Sequence, residues 1–277
     1  MADLNPEYYS VRKTPSRNQS VNFNYVFDPK NSNWVPMQQK ENVEGSLDYI
    51  LNNVQDYVHK FGSHPNVNQN VSFDNQYTIW DGATKYEFPS DSGESLQIVS
   101  DSADDSQLIY VEGLDENFIK KTEEVNLNGT TPVNLSGLWS RVYRSYNNGS
   151  EDLNGNVSIK GAISTNTFAK ILIGNNQTLM SVYTVPADFT GYLLKYSITA
   201  QNIGSSSSIG FTVHMAIREH GKTFRVAART SAGTDYSVQE EYPFPLKINP
   251  KSDILFNIVN ANGNNGSINA DFDIALL

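Results

Sequence analysis

The chain of 277 residues carries 30 acidic against 20 basic side chains, a net charge of -10 at pH 7, and no cysteine. The missing thiol excludes disulfides and any Cys-based metal or redox centre. The acidic balance argues against nucleic-acid partners, because neutralising phosphates requires clustered Lys and Arg. The length suffices for two domains, each with its own core. No apolar run approaches the roughly 20 residues of a membrane-spanning helix. The start, Met1-Ala-Asp-Leu-Asn-Pro-Glu, lacks the basic and apolar stretches of a signal peptide. The expectation is a protein made in a cytoplasm, with no membrane partner.

Residues 1–40 read as an extended arm. Pro6, Pro15, Pro29 and Pro36 are scattered through it and no period is sustained, yet Phe23, Tyr25, Phe27 and Trp34 supply large rings. Solvated tails are usually poor in such rings, and rings gain most when buried. The arm therefore packs on another subunit or back on its own domain, and these four residues are the candidates for docking. Residues 41–66 read as a helix with a linker. Val43, Leu47, Ile50, Leu51, Val54, Tyr57, Val58 and Phe61 recur at three- and four-residue steps and predict one amphipathic helix over about residues 42–61. Gly62 is a C-terminal stop and Pro65 disfavours regular structure after it.

The remainder alternates with period two. Residues 67–165 predict a first sandwich, with strands at Leu96–Val99, Leu108–Val111 and Phe118–Leu127 and turns at Asp115–Asn117 and Asn128-Gly129. Trp139, Val142 and Tyr143 are expected in its core. The Ser, Thr and Asn residues between Gly161 and Asn166 mark the boundary. Residues 166–277 predict a second, jelly-roll-like sandwich, with segments at Leu179–Val185, Tyr192–Ile198, Ile209–Ile217, Thr223–Ala228, Tyr236–Glu240, Asp253–Asn260 and Ile268–Ile274. The fold class is mainly β: two tandem antiparallel sandwiches preceded by an arm and one helix.

Several of these segments also carry a resemblance. Tyr183-Thr-Val-Pro-Ala with Gly191-Tyr-Leu, then Phe224-Arg-Val, Tyr242-Pro-Phe-Pro-Leu-Lys-Ile-Asn-Pro-Lys-Ser-Asp253 and a last strand with Asp-Ile resemble a β-sandwich module. That module occurs in a poorly characterised family of virion structural proteins of tailed, particularly marine, bacteriophages. Ile79-Trp-Asp-Gly82, Tyr86-Glu-Phe-Pro89, Leu96-Gln-Ile-Val-Ser100, Val111-Glu-Gly-Leu-Asp115 and Val125-Asn-Leu-Asn-Gly-Thr130 resemble its companion module. The resemblance spans roughly residues 77–277 and implies a place in a virus particle. It implies partners among capsid, neck or other virion proteins.

Chemistry-bearing patterns are few. Of four histidines, His214 and His220 would share a strand face but lie about 20 Å apart, too far for one metal. His59 and His64 fall near the helix end and in the linker. The acidic segment Asp101-Ser-Ala-Asp-Asp105 offers oxygens to calcium but lacks the glycine and closing glutamate of an EF-hand loop. No nucleophile elbow or phosphate loop is present. The neighbouring carboxylates Asp104-Asp105, Glu123-Glu124 and Glu240-Glu241 would point to opposite faces of a strand. No cofactor and no catalytic residue is expected. The leading expectation is a non-enzymatic, homo-oligomeric structural protein of a virion, decorating the head or forming a fibre-like head or neck accessory. It would be anchored by the arm, with the C-terminal sandwich distal. The alternative is an adhesin that binds a host glycan through Tyr143, Tyr146, Tyr192 and Tyr196, if these are exposed. A polysaccharide-active enzyme ranks third.

Overall fold

From Val182 onward the chain alternates apolar and polar residues almost without interruption, and every predicted segment there is a strand in the computed structural model. The structure describes residues 25–28, 33–36, 46–67, 71–202, 210–233, 237–262 and 266–277. The chain opens with β1 (Tyr25–Asp28) and β2 (Asn33–Pro36), then α1 (Leu47–Asn53), β3 (Asp56–Val67) and β4 (Tyr77–Thr78). A middle group follows: β5 (Leu96–Ser100), β6 (Leu108–Leu114), β7 (Lys120–Asn126), β8 (Val133–Asn134), β9 (Arg141–Asn147), β10 (Val157–Gly161) and β11 (Thr167–Ile171). The last group is β12 (Val182–Thr184), β13 (Gly191–Asn202), β14 (Gly210–Arg218), β15 (Arg225–Gly233), β16 (Ser237–Ile248), β17 (Asp253–Asn262) and β18 (Gly266–Leu276).

The last group forms two facing sheets with strand orders β16-β13-β18-β3 and β12-β17-β14-β15. The antiparallel pairs are nested: β14 with β15, β13 with β16, β12 with β17, and β3 with β18. One long hairpin folded over on itself gives this order, which is that of an eight-stranded jelly roll. Its core lies between the sheets, where Leu193, Val213, Met215, Phe256, Phe272 and Ile274 meet. The prolines of β16, Pro243 and Pro245, fall within the register break opposite Leu193 to Lys195, on an edge strand where no ladder bond is lost.

Two expectations are corrected here. The helix covers only Leu47–Asn53, and the residues expected to finish it belong to β3, which pairs along nearly the whole of β18. Tyr57, Val58 and Phe61 fit a helical stripe better than a strand alternation, since β3 turns Val58 inward and Tyr57 and Phe61 outward, and pairing with an otherwise bare edge decides for the strand. The linker expected from Gly62 is the second half of that strand, with Pro65 in its register break. The tandem boundary near residue 165 is also displaced. Gly161–Asn166 is a tight reversal joining β10 to β11 in one sheet.

The middle group is an insertion into the jelly roll. β4 and β12 lie end to end along the same side of β17, and residues 79–181 leave and re-enter between them. This insertion is a small sandwich of sheets β11-β10-β5-β8 and β7-β6-β9. Leu96, Ile98, Ile109, Val111, Trp139 and Phe168 fill it, and its core extends onto Val182, Ala216 and Leu255, on the outer face of the second jelly-roll sheet. Trp139 and Val142 lie in the insertion's core as expected, whereas Tyr143 joins the jelly-roll core with Leu114 and Phe118. The turns at Asp115–Asn117 and Asn128-Gly129 lie where predicted, Gly129 with φ 54°. In the arm, β1 and β2 pair with Phe27 opposite Trp34. Phe23 lies outside the described residues.

Because β3 closes the edge of β18, a chain starting at Ser46 should fold, while residues 166–277 alone should not protect the β18 amides from hydrogen exchange. Full protection in the shorter piece would overturn this topology. At Gly62 a Cβ would stand 2.2 Å from the Ser181 nitrogen and 2.6 Å from the Ile79 carbonyl oxygen. Gly62→Ala should therefore lower stability by about 1–3 kcal/mol in denaturant titration.

Candidate functional site

The seam between the insertion and the jelly roll is polar at its centre. Arg141 begins β9, and its guanidinium is sealed, 2% exposed, against Asp253 of β17, 1% exposed. Nε donates to Asp253 Oδ1 at 2.7 Å and to Thr184 Oγ1 at 3.1 Å, and Nη2 reaches Asp253 Oδ2 at 3.1 Å. Nη2 also donates to Asp91 at 2.7 Å, and Nη1 to the Ser140 and Pro89 carbonyls at 2.6 and 3.4 Å. Arg218 Nε binds the other side of Asp253 at 2.8 Å. The rings of Phe88 and Phe118 lie 4.9 and 4.8 Å from the Arg141 guanidinium carbon. Two arginines against two aspartates leave the cluster balanced, with every guanidinium nitrogen of Arg141 engaged.

A second buried cation supports the seam from β3. The bulge between Glu112 and Gly113 leaves Tyr143 outside the β6–β9 ladder, and Lys60 Nζ donates to the Tyr143 carbonyl. Burial drives the Lys60 pKa down from 10.5 to about 7, against the pull of Glu112.

The residues singled out from sequence are dispersed. Tyr143, Tyr192 and Tyr196 are buried, Tyr143 against Tyr183 and Tyr196 against Phe256. They cannot serve as glycan platforms, because aromatic side chains on strands face the core as readily as solvent. Tyr146 alone is partly exposed, stacked on Tyr110 at 4.8 Å with Arg144 over its ring. Asp101 and Asp105 are fully engaged as local caps: Asp105 accepts from Ser100, Asn154 and Gly155, and Asp101 from Asn156. Burial opposes ionisation of Asp105, yet these bonds hold its pKa below the usual range. His214 lies within β14 and His220 beyond its end, at 3.6 Å from Asp91. Among the described residues no cluster of His, Asp and Glu could hold a metal ion.

One surface was missed. Ser46 caps α1, accepting from the Tyr49 amide at 3.2 Å. Ile50 then buries itself on Tyr192 and Ala275, on the outer face of the first jelly-roll sheet. This leaves Leu47, Leu51 and Val54 exposed on the helix, followed by Tyr57 and Phe61 on β3. Beside them Asp273 binds His59 Nδ1 at 2.6 Å and Lys195 Nζ at 3.0 Å. From Leu47 to Phe61 the apolar residues read as one helical stripe run across two elements, with Ile50 and Val58 turned inward and the others exposed, and Val43 lies outside the described residues.

No family model and no curated protein matches the chain. Solved structures aligned to it include the exported protein XepA of PBSX, at 10% identity over 99% of this chain and 100% of that one, with a TM-score of 0.17. Two infectious bursal disease virus structures, the Gt strain and a T13 viral particle, align over 80% of this chain and 76% and 72% of theirs, each at 10% identity, with TM-scores of 0.19 and 0.18. Alignments this weak carry no argument for fold or role.

Two outcomes test the seam. Asp253→Ala leaves Arg141 buried without the carboxylate that pairs it and should cost about 3–5 kcal/mol in equilibrium unfolding. For Lys60 the folded pKa lies below the unfolded one, so the unfolded chain holds the proton more tightly and stability rises between pH about 7 and about 10. The stability difference between wild type and Lys60→Met should change across that window and stay level below it. A difference that is flat with pH would show Lys60 to be solvated.

Proposed function

We propose that the chain is a non-enzymatic structural component of a virus particle, held by its N-terminal segment and carrying the inserted sandwich outermost, as a head decoration or a fibre-like head or neck accessory. The observation that carries this reading is the placement of the two attachments to the jelly roll. The chain enters through α1 on the outer face of one sheet, and the insertion sits against the outer face of the other. A surface that receives the N-terminal segment would therefore face away from the insertion. This reverses the expectation that the C-terminal sandwich is distal: β3 belongs to the jelly roll, so the jelly roll stands next to the anchor.

Three features support the same reading. The motif order resembles that of virion structural proteins. The net charge of -10 suits display on a particle in solution. The exposed row Leu47, Leu51, Val54, Tyr57 and Phe61 follows in sequence the ring-bearing segment with Tyr25, Phe27 and Trp34. A neighbouring particle protein, including another copy of this chain, is the occupant we assign to that row. Burying one such side chain supplies roughly 1.5–3 kcal/mol, so the row and arm together offset much of the ordering cost.

Deleting residues 1–45, or introducing Leu51→Asp with Phe61→Asp, should leave the melting temperature near wild type and abolish incorporation, measured as copies per particle by quantitative mass spectrometry. Normal copy number for both variants would refute attachment through this end.

A further inference from the structure

We infer that two clefts meeting at Lys85, one on the insertion and one on the outer face of the second jelly-roll sheet, together bind an acidic oligosaccharide. The clefts, of about 520 and 270 Å³, share Lys85 as a wall. The larger is lined by Lys85, Lys160 and Lys170, with Trp80, Asn166 and Glu87. The smaller is lined by Phe73, Phe224, His214, Asn257, Arg225 and the carboxylate Asp74. The proposal does not depend on the particle role, since it concerns the isolated protein.

Charge sets the ligand's sign. The chain has an excess of carboxylates, yet none of the three lysines takes part in an ion pair among the described residues. Ser158 and Lys170 face each other across β10 and β11, and Lys160 faces Thr167, so the two strand lysines come from one sheet surface. Lys85 approaches from the first residues of the insertion, after β4. Three unpaired ammonium groups around one cleft, with Glu87 its only lining carboxylate, attract an anion.

Shape and surface set its class. Phe73 is 54% and Phe224 37% exposed. Each ring is supported from within: Phe73 by His214 at 5.9 Å, and Phe224 by Phe88 at 6.0 Å with Arg218 over it at 4.8 Å. Rings so held offer apolar area to the C–H face of a sugar. Between them Asn257 is fixed by Thr78 at 2.7 Å and Gln76 at 3.2 Å, a planar amide in set orientation. His214 Nε2 has no hydrogen-bond partner in the chain. One cleft with rings and amides beside another with lysines suits a chain of sugars bearing carboxylate or sulfate groups. A nucleic acid would need cations along its whole track, and a neutral glycan would leave the lysines unused.

The test uses the full-length protein with polygalacturonate and heparin as uronate and sulfate probes, dextran as the neutral one and oligodeoxythymidylate as the nucleic acid. Binding to at least one acidic saccharide, weakening with salt, is expected, with no binding to dextran. The Lys85→Ala, Lys160→Ala, Lys170→Ala triple variant should lose about tenfold or more in affinity, as expected when several charge contacts are removed. Phe73→Ala with Phe224→Ala should lose about fivefold or more by removing the ring platforms. Lys247→Ala, on β16 of the other jelly-roll sheet, should bind as wild type. All these positions are at least partly exposed, and unchanged melting temperatures would establish that the variants fold. Absence of binding to both acidic saccharides overturns the site. Equal affinity for the nucleic acid, or binding indifferent to the Phe variants, overturns the saccharide assignment.

Discussion

The Arg141–Asp253 pair holds together two sandwiches that the chain joins only by the crossings after β4 and before β12. Two covalent connections at neighbouring points act as a hinge unless something distant from them fixes the angle. The apolar contact of Val182, Ala216 and Leu255 with the insertion's core supplies adhesion without direction, because apolar surfaces slide at little cost. The guanidinium supplies direction. Its donors aim at acceptors on three separate segments, around Pro89, Thr184 and Asp253. A lysine, a point charge on a flexible stem, could not satisfy all of them. Burying both charges consumes much of what their attraction returns, so we read the pair as setting orientation rather than adding net stability.

The same economy governs the jelly roll's first strand. β3 is separated from its partner β18 by almost the whole sequence, and nothing local requires it to be extended. The run from Leu47 to Phe61 obeys a helical period throughout. The structure divides it at Val54, whose φ of -61° and ψ of 128° end the helix. Beyond that point Val58 and Lys60 turn inward while Tyr57, His59 and Phe61 turn out. The core offered by Tyr143, Tyr183 and β18 outweighs a propensity difference that is small per residue.

Strands after Val182 were legible because each is long, alternates, and ends in Gly, Asn or Pro. Their partners are mostly sequence neighbours or nested around one turn. The insertion was not legible as an insertion, because a reader of sequence sees two β-rich stretches in series whether they are tandem or one interrupts the other. Only the pairing of Tyr77 and Thr78 with β17 reveals the difference. Surface residues fared worst. Tyr143, Tyr192 and Tyr196 carry no local mark of burial. Phe73, Lys85, Lys160, Lys170 and Phe224 come from separate segments with no spacing in common, so no motif could have united them.

The clefts and the clamp are therefore linked. The smaller cleft is walled by the jelly roll, through His214, Asn257 and Phe224. The larger lies on the insertion, through Lys160 and Lys170, and Lys85 is common to both. How the two clefts stand to one another depends on the angle between the sandwiches, which the Arg141 cluster fixes. Phe88 makes the connection physical: its ring lies 4.9 Å from the Arg141 guanidinium, 5.0 Å from that of Arg218, and stacks on Phe224. A shift of the insertion that broke the Arg141 bonds would move Phe88, and with it the support beneath one of the two exposed rings. A buried charge cluster that contributes little net stability thus has a use that stability does not measure. It keeps two clefts from different parts of the chain in the relation that a ligand spanning both would require.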